Sequence, residues 1–426
     1  MKVFKFGGAS LKNPKAIRNV VSILRRYKEE RLFIVVSAFG KTTNGLEAVI
    51  KSIGKPAELE QNFNTVKDFH FDIMGELFEG RPSVYDTVDA IFEEMKGFTR
   101  EPIDGDFDYR YDQIVSKGEV LSSTIVAAYL ESEGLPTSWL DIRQTIRTDA
   151  TYRDANVNWE VTEQQFQATV PTLLDKGFVL SQGFLGGTTE GATTTLGREG
   201  SDYTAAIASY CLNADSMSVW KDVPGILTAD PRLFKNVTKI DRLSFREAIE
   251  MTYYGAKVIH PKTIKPLQNK SIPLFVKSFV NPDGEGTMIS ENLESTYPPV
   301  IVVEKNQALL QVSRRDFSFV AEDSLSQLFA LFARHRVKVN MMQNTAIGFS
   351  ICVNNVPERI QPLMDDLRKE YKVFKDSNME LITVRHYHVE ILESLKVGKM
   401  IYLEERIRNT AKMVLKPVPK MERLDG

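Results

Sequence analysis

An unbroken apolar run, Leu32-Phe33-Ile34-Val35-Val36, constrains this chain more than any other feature, because of what precedes it: a helix-patterned stretch over Pro14 to Tyr27 and a first short run over Val3 to Phe6. A strand that alternates apolar and polar residues can leave one face in water, whereas a run with no polar member must be covered on both. Strand, helix, strand in that order reads as a beta-alpha-beta unit of a mostly parallel sheet between helical layers, an α/β fold. The rhythm returns with strands expected over Phe178 to Ser181, Ser216 to Trp220 and Pro273 to Lys277, and helices over Ser201 to Cys211 and Ser244 to Tyr253. Ser244 and Glu247 have the spacing of a capping box.

Between about Glu58 and Tyr129 the pattern is helical around a polar loop, Arg100 to Tyr111. Asn281 to Pro299 is rich in turn residues and reads as a linker. Beyond it the grammar changes. A strand over Ala308 to Ser313, a helix from Asp323 to His335 with Ser324 as N-cap, strands Val337 to Met342 and Gly348 to Val353, a helix from Pro357 to Tyr371 and a strand Tyr371 to Lys375 give a ferredoxin-like order. Leu381 to Tyr387 opens a second copy with too little chain left to complete it. The expected domains are 1–290, 300–377 and an abbreviated 378–426.

A length of 426 residues suits two or three domains, and 42% hydrophobic with 26% charged residues argues against disorder. A net charge of -2 gives no global reason to bind nucleic acid or an anionic membrane. No apolar run reaches transmembrane length, and the first strand starts directly after Met1, so a cytoplasmic protein without a leader is expected. Cys211 and Cys352 lie in apolar stretches and read as reduced core thiols. His386 and His388 share a strand face by spacing but have no third ligand nearby, so no metal site is expected.

Chemistry concentrates in four blocks. Lys5-Phe6-Gly7-Gly8 ends the first strand, where glycines admit phosphate to backbone N–H groups and Lys5 adds a cation; an ordinary strand-to-loop turn fits the same residues. Thr193 to Ala206 joins a small-residue loop to a helix start and carries Arg198, a fork suited to carboxylate, with Ser201 and Asp202 in the first turn. Trp220 to Arg232 runs from a strand end into a turn-rich loop, which suits either a nucleotide or a structural turn. Gly255 to Pro261 supplies Lys257, a further candidate phosphate cation.

Together these blocks resemble the aspartate kinase branch of the amino-acid kinase family. Lys5 to Ser10 resembles its Lys-Phe-Gly-Gly-Thr-Ser opening, Ser37 to Asn44 its serine-rich loop ending in Thr-Asn, Gly118-Glu119 its Gly-Glu pair and Thr193 to Ala206 its Thr-Thr-Thr-Leu-Gly-Arg-Gly-Gly-Ser-Asp stretch. Trp220 to Arg232 and Gly255 to Pro261 resemble its nucleotide segments. The resemblance implies transfer of the ATP γ-phosphoryl group to the side-chain carboxylate of L-aspartate, with Mg2+ arriving on the nucleotide and no dedicated metal cage. It implies Lys5, Asp202 and Lys257 as catalytic residues. Gly7, Gly8, Lys221, Asp222, Leu227, Pro231 and Arg232 join Lys5 and Lys257 around ATP. Ser37, Thr43, Glu119, Phe184, Arg198 and Ser201 surround aspartate.

The ferredoxin-like region resembles the ACT modules that bind amino-acid effectors in this family and pair into homodimers, with Asp316 to Ser326 and Val339 to Thr345 as the effector segments. Asn340 stands where lysine-sensitive members often carry aspartate, which leaves the effector open. The stripe Leu325, Leu328, Phe329, Phe332 suits either a dimer face or packing on its own sheet. Three residues depart from the pattern: Ala9 replaces a threonine, Glu199 a glycine and Leu227 a frequent tyrosine. An active aspartate kinase, a silent amino-acid sensor on the same scaffold, and a kinase for glutamate or a nucleotide are the competing readings.

Overall fold

Eight strands build the first sheet, in the order Arg242–Ser244, Thr287–Ser290, Leu274–Ser278, Ser216–Lys221, Lys2–Phe6, Leu32–Val36, Phe178–Gln182 and Thr137–Leu140. Every pairing is parallel except that of Leu274–Ser278 with Thr287–Ser290. All five residues of Leu32–Val36 are fully buried, as their unbroken apolar character requires. The computed structural model describes residues 1–100, 106–256, 259–291, 296–315 and 322–418.

The chain divides into two units. One comprises Met1–Ile226, Lys239–Thr252 and Lys257–Glu294; the other comprises Leu227–Thr238, Tyr253–Ala256 and Ser295–Gly426. In the first, the helix Pro14–Arg25 is capped by the Asn13 side chain, which accepts from the Ala16 N–H, and starts with proline at its first position. The first strand turns Phe4 and Phe6 toward Trp220, whose ring stacks on Phe6 at 5.8 Å, and this leaves Lys5 facing the opposite way. The helical excursion consists of Pro56–Leu77, Val84–Thr99, Phe107–Val115 and Lys117–Ser132.

The stretch read as a linker is partly structured. Thr287–Ser290 is a strand of the first sheet, joined to Leu274–Ser278 by residues 279–286. Gly286 sits there at φ +77, and a Cβ on it would stand 2.2 Å from the Val276 carbonyl oxygen. Turn residues signalled the reversal but concealed the short strand after it.

The second unit carries a fully antiparallel six-stranded sheet in the order Val339–Asn344, Gly348–Asn354, Val300–Arg314, Tyr371–Arg385, Thr410–Pro417, Lys399–Ile407. Two of these strands are fifteen residues long, so the expected separate strands Tyr371 to Lys375 and Leu381 to Tyr387 are one element. Register shifts on either side of Gln307 interrupt the pairing of the two long strands, and separate helix-covered clusters pack on the two halves of the sheet. On one side Leu310, Val312 and Ile351 pack with Leu328, Phe332, Ile360 and Leu363 from the helices Glu322–Arg334 and Pro357–Leu367, completing the ferredoxin-like arrangement. On the other, Ile382, Val384 and Met413 pack with Leu392 and Leu395 from Val389–Lys396. Val300 to Glu304 supplies a strand to this abbreviated half by pairing with Leu381 to Arg385.

Ser324 lies inside its helix rather than capping it, and its hydroxyl accepts from Arg314 at 3.2 Å. Within the apolar stripe Leu328 and Phe332 are buried, Leu325 packs on the core and Phe329 is exposed. His386 falls past the strand end at φ +52 and His388 precedes the next helix as its N-cap residue, so the two do not share a strand face. Both thiols are buried and pushed up to about 12, first by burial. No helix among the described residues is long and apolar enough to cross a membrane.

Candidate active site

A cleft of about 560 Å³ opens in the first unit where the carboxyl ends of Lys2–Phe6, Leu32–Val36, Phe178–Gln182 and Ser216–Lys221 meet the start of the helix Gly200–Cys211. It is lined by residues from every one of these ends. Lys5 comes from the first strand, Ser37 follows the second, Phe184 follows the third and Lys221 ends the fourth. Gly200, Ser201 and Asp202 present the first turn of the helix, whose N-terminal N–H groups favour an anion. Thr43 and Glu119 enter from the starts of Thr42–Lys51 and Lys117–Ser132.

Asp202 is the electrostatic centre of one end. Its Oδ1 lies 2.6 Å from Lys5 Nζ and its Oδ2 3.5 Å from Lys221 Nζ, with the carboxylate almost wholly buried. Burial opposes its charge, but the two ammonium groups together outweigh burial and hold the carboxyl below the usual range. Two lysines are thereby fixed side by side at the sheet's carboxyl edge, where a polyanion would need them.

Glu119 is a second buried carboxyl lining the same cleft. Its Oε2 is buried with no hydrogen-bond partner among the described residues. Burial pushes its carboxyl up to about 8, against weaker pulls from the Ala38 backbone N–H, its own N–H and Lys5. A buried carboxyl of this kind is uncharged at neutral pH and ionises when a cation docks beside it. Arg198, exposed, and Glu199, half-buried, line the cleft from the loop before the helix. Glu199 adopts φ +55, a conformation natural to the glycine it replaces, and one of its carboxylate oxygens is buried without a hydrogen-bond partner among the described residues. This departure from the family pattern lines the cleft.

Of the residues singled out from the sequence, Lys5, Gly8, Ser37, Thr43, Glu119, Phe184, Arg198, Ser201, Asp202 and Lys221 line this one cavity. Gly7 and Asp222 do not, although a Cβ on Gly7 would crowd Lys5 Nζ at 3.3 Å. A Cβ on Gly8 would press on the Gly40 and Ala38 carbonyl oxygens at 3.0 and 3.2 Å, so this glycine is required for backbone packing whatever else it does. Leu227, Pro231 and Arg232 belong to the second unit, where Arg232 pairs with Asp230 at 2.7 Å. Lys257 lies outside the described residues, as does the Asp316 to Ala321 part of the expected effector loop.

The sequence reading missed Tyr111 and Arg153, which also line the cleft. Tyr111 fell in the segment read as a loop, yet its helix Phe107–Val115 is capped by Asp106, whose side chain accepts from the Asp108 and Tyr109 N–H groups. Arg153 sits at φ +70 in a turn-rich segment with no periodicity, and nothing local marks it as facing inward.

The sequence profile of the amino acid kinase family matches residues 1–278. The lysine-sensitive aspartokinase 3 of Escherichia coli (strain K12) is 30% identical over 356 residues, covering 83% of this chain and 78% of that protein. The crystal structure of E. coli aspartokinase III in complex with aspartate and ADP, in its R-state, superposes with a TM-score of 0.82 at 25% identity, covering 98% of this chain and 96% of that one. The T-state complex of the same enzyme with lysine and aspartate gives 0.83 at 25% identity, covering 97% and 95%.

Proposed function

The chain belongs to the amino acid kinase family, in its aspartokinase branch, and from that premise we propose that it transfers the γ-phosphoryl group of ATP to the side-chain carboxylate of L-aspartate, the first step toward lysine, threonine and methionine. A carboxylate oxygen forms a bond to the γ-phosphorus, the bond from that phosphorus to the β-bridging oxygen breaks, and 4-phospho-L-aspartate and ADP result. The acceptor is already an anion at neutral pH, so no general base is required. Catalysis consists of overcoming repulsion between two anions and aligning them.

One observation carries this reading: Lys5 and Lys221 held by a shared Asp202 in a cleft that Glu119 and Arg198 also line. We assign Lys5, Lys221 and Lys257 to the phosphates, with Gly7 and Gly8 admitting them, and Asp202 to orienting the lysines. Arg198 takes the α-carboxylate and Glu119 the α-ammonium, while Ser37, Thr43, Phe184 and Ser201 close the pocket around aspartate. Asp222, Leu227, Pro231 and Arg232 are assigned to the nucleotide on the resemblance of residues 220–232.

Magnesium enters with ATP and neutralises charge on its phosphates. No group of three His, Cys, Asp or Glu side chains that could hold a metal is present among the described residues, so the ion would be held mainly by the nucleotide, with Asp202 the carboxylate that would face it, and would supply charge neutralisation on the phosphates. We further propose a cytoplasmic homodimer with domains 1–290, 300–377 and 378–426. The T-state complex of the E. coli enzyme with lysine and aspartate supports amino-acid feedback.

ADP release measured with L-aspartate, L-glutamate and nucleoside monophosphates as acceptors tests the substrate assignment. Aspartate alone should support turnover; equal turnover with glutamate or a nucleotide would reassign the acceptor.

A further inference from the structure

Aspartate brings two carboxylates and one ammonium, a net negative charge, into a cleft that Glu199 makes more negative than its family pattern. Lys5 and Lys221 are both committed to Asp202. Glu199 adds a carboxylate to the same lining as Arg198, and a second guanidinium there would offset it. Arg153 is that guanidinium.

Its position is built rather than incidental. The Arg153 N–H donates to Asp112 Oδ2 at 2.9 Å, and the same buried carboxylate accepts from the Thr195 N–H and hydroxyl, each at 2.8 Å. Arg153 is therefore tied to the strand Thr193–Thr195, which leads straight into the Arg198 loop. The guanidinium lies over the Tyr111 ring at 4.5 Å from its centroid, and Tyr111 is itself fixed by donating to Glu47 at 2.7 Å. Its Nη1 pairs with Asp108 at 3.0 Å, while Nε and Nη2 have no hydrogen-bond partner among the described residues.

We propose that Arg153 is a further acceptor-recognition residue, sharing the α-carboxylate of aspartate with Arg198 and offsetting the charge of Glu199. The assignment rests on reading this cleft as the aspartate site. It explains how a chain with an acid at position 199 keeps an anionic substrate: the Arg153 guanidinium compensates for it. A fork held by stacking is well suited to the task, since little of its freedom is lost when a carboxylate docks.

The test is a cycle of Arg153→Gln, Glu199→Gly and the double variant, with Arg153→Lys beside them, each measured for turnover and for direct L-aspartate binding by calorimetry. Arg153→Gln should raise the KM and Kd for aspartate about tenfold or more, leaving kcat and the KM for ATP within about threefold, as befits a half-exposed charge-assisted contact. Arg153→Lys should fall between. Glu199→Gly should tighten aspartate and should recover most of the loss in the double variant. Unchanged aspartate affinity in Arg153→Gln overturns the proposal, and so does a loss of equal size with and without Glu199, or a parallel fall in kcat and melting temperature that Arg153→Lys does not rescue. If the wild-type chain binds aspartate without turning it over, the kinase reading fails while the binding cycle still decides Arg153.

Discussion

Asp202 Oδ1 stands 2.6 Å from Lys5 Nζ, and the same carboxylate reaches Lys221 through its other oxygen. One buried acid thus holds two cations that would otherwise repel each other at the edge of the sheet. Replacing it with Asp202→Asn removes the negative charge and leaves both ammonium groups uncompensated. Turnover should fall by about a hundredfold or more, the range seen when a positioned electrostatic group is lost. Because the folded-state pKa is depressed, the stability Asp202 contributes is present above the ordinary carboxylate pKa and is lost as pH falls below it. Acid melts of the wild type and Asp202→Asn should therefore converge at low pH.

Glu119 has the opposite sign. Its carboxyl is raised to about 8 by burial, so between roughly its ordinary value and 8 the folded protein holds a proton that the unfolded chain does not. Its contribution to stability is full below that window and is lost as pH rises through about 8. Pairing with the aspartate ammonium requires the charged form, so binding must expel the proton. Affinity for aspartate should rise with pH from 6.5 to 8, approaching tenfold per unit, and Glu119→Gln should bind more weakly with a flat profile. A wild-type profile as flat as that of the variant would contradict the account.

The physical reasons for what could be read in advance are visible in particular residues. Leu32 to Val36 announced a doubly covered strand because burial on both faces leaves no room for a polar residue. Lys5 and Arg198 were legible because their blocks sit where the strand-helix grammar places ligands. Arg153 was not, because its inward turn depends on Asp112, forty-one residues earlier, accepting its N–H. The abbreviated half of the second unit was likewise concealed: Val300 to Glu304 pairs with a strand eighty residues later, and no local pattern encodes such pairing. Thr287–Ser290 was hidden by its own turn signal.

That turn gives a third prediction. Gly286→Ala places a methyl group against the Val276 carbonyl at a positive φ, so the return between Leu274–Ser278 and Thr287–Ser290 must distort. Destabilisation of about 1–3 kcal/mol is expected. Thermal melting should show it, and a variant as stable as wild type would mean that the segment is the loose linker its composition suggests.

Asn340 supplies a fourth. Its amide donates to Gln307 Oε1 and Asn354 Oδ1, both at 2.9 Å, linking three strands of the antiparallel sheet. Asn340→Asp replaces the donor with an acceptor facing two acceptors and should cost about 1–3 kcal/mol. Denaturant unfolding of the full chain measures this. A neutral or stabilising result would show that position 340 is free to take the aspartate of lysine-sensitive relatives.

The central claim is that this cleft phosphorylates aspartate, and trapping the product measures it most directly. Purified protein is incubated with Mg-ATP and L-aspartate in the presence of hydroxylamine, beside a Lys5→Ala control. Aspartyl hydroxamate should accumulate with the wild-type chain and fall to background with the control. Hydroxamate no higher than the control, from protein that still binds aspartate, would contradict the kinase and leave an amino-acid sensor on the same scaffold.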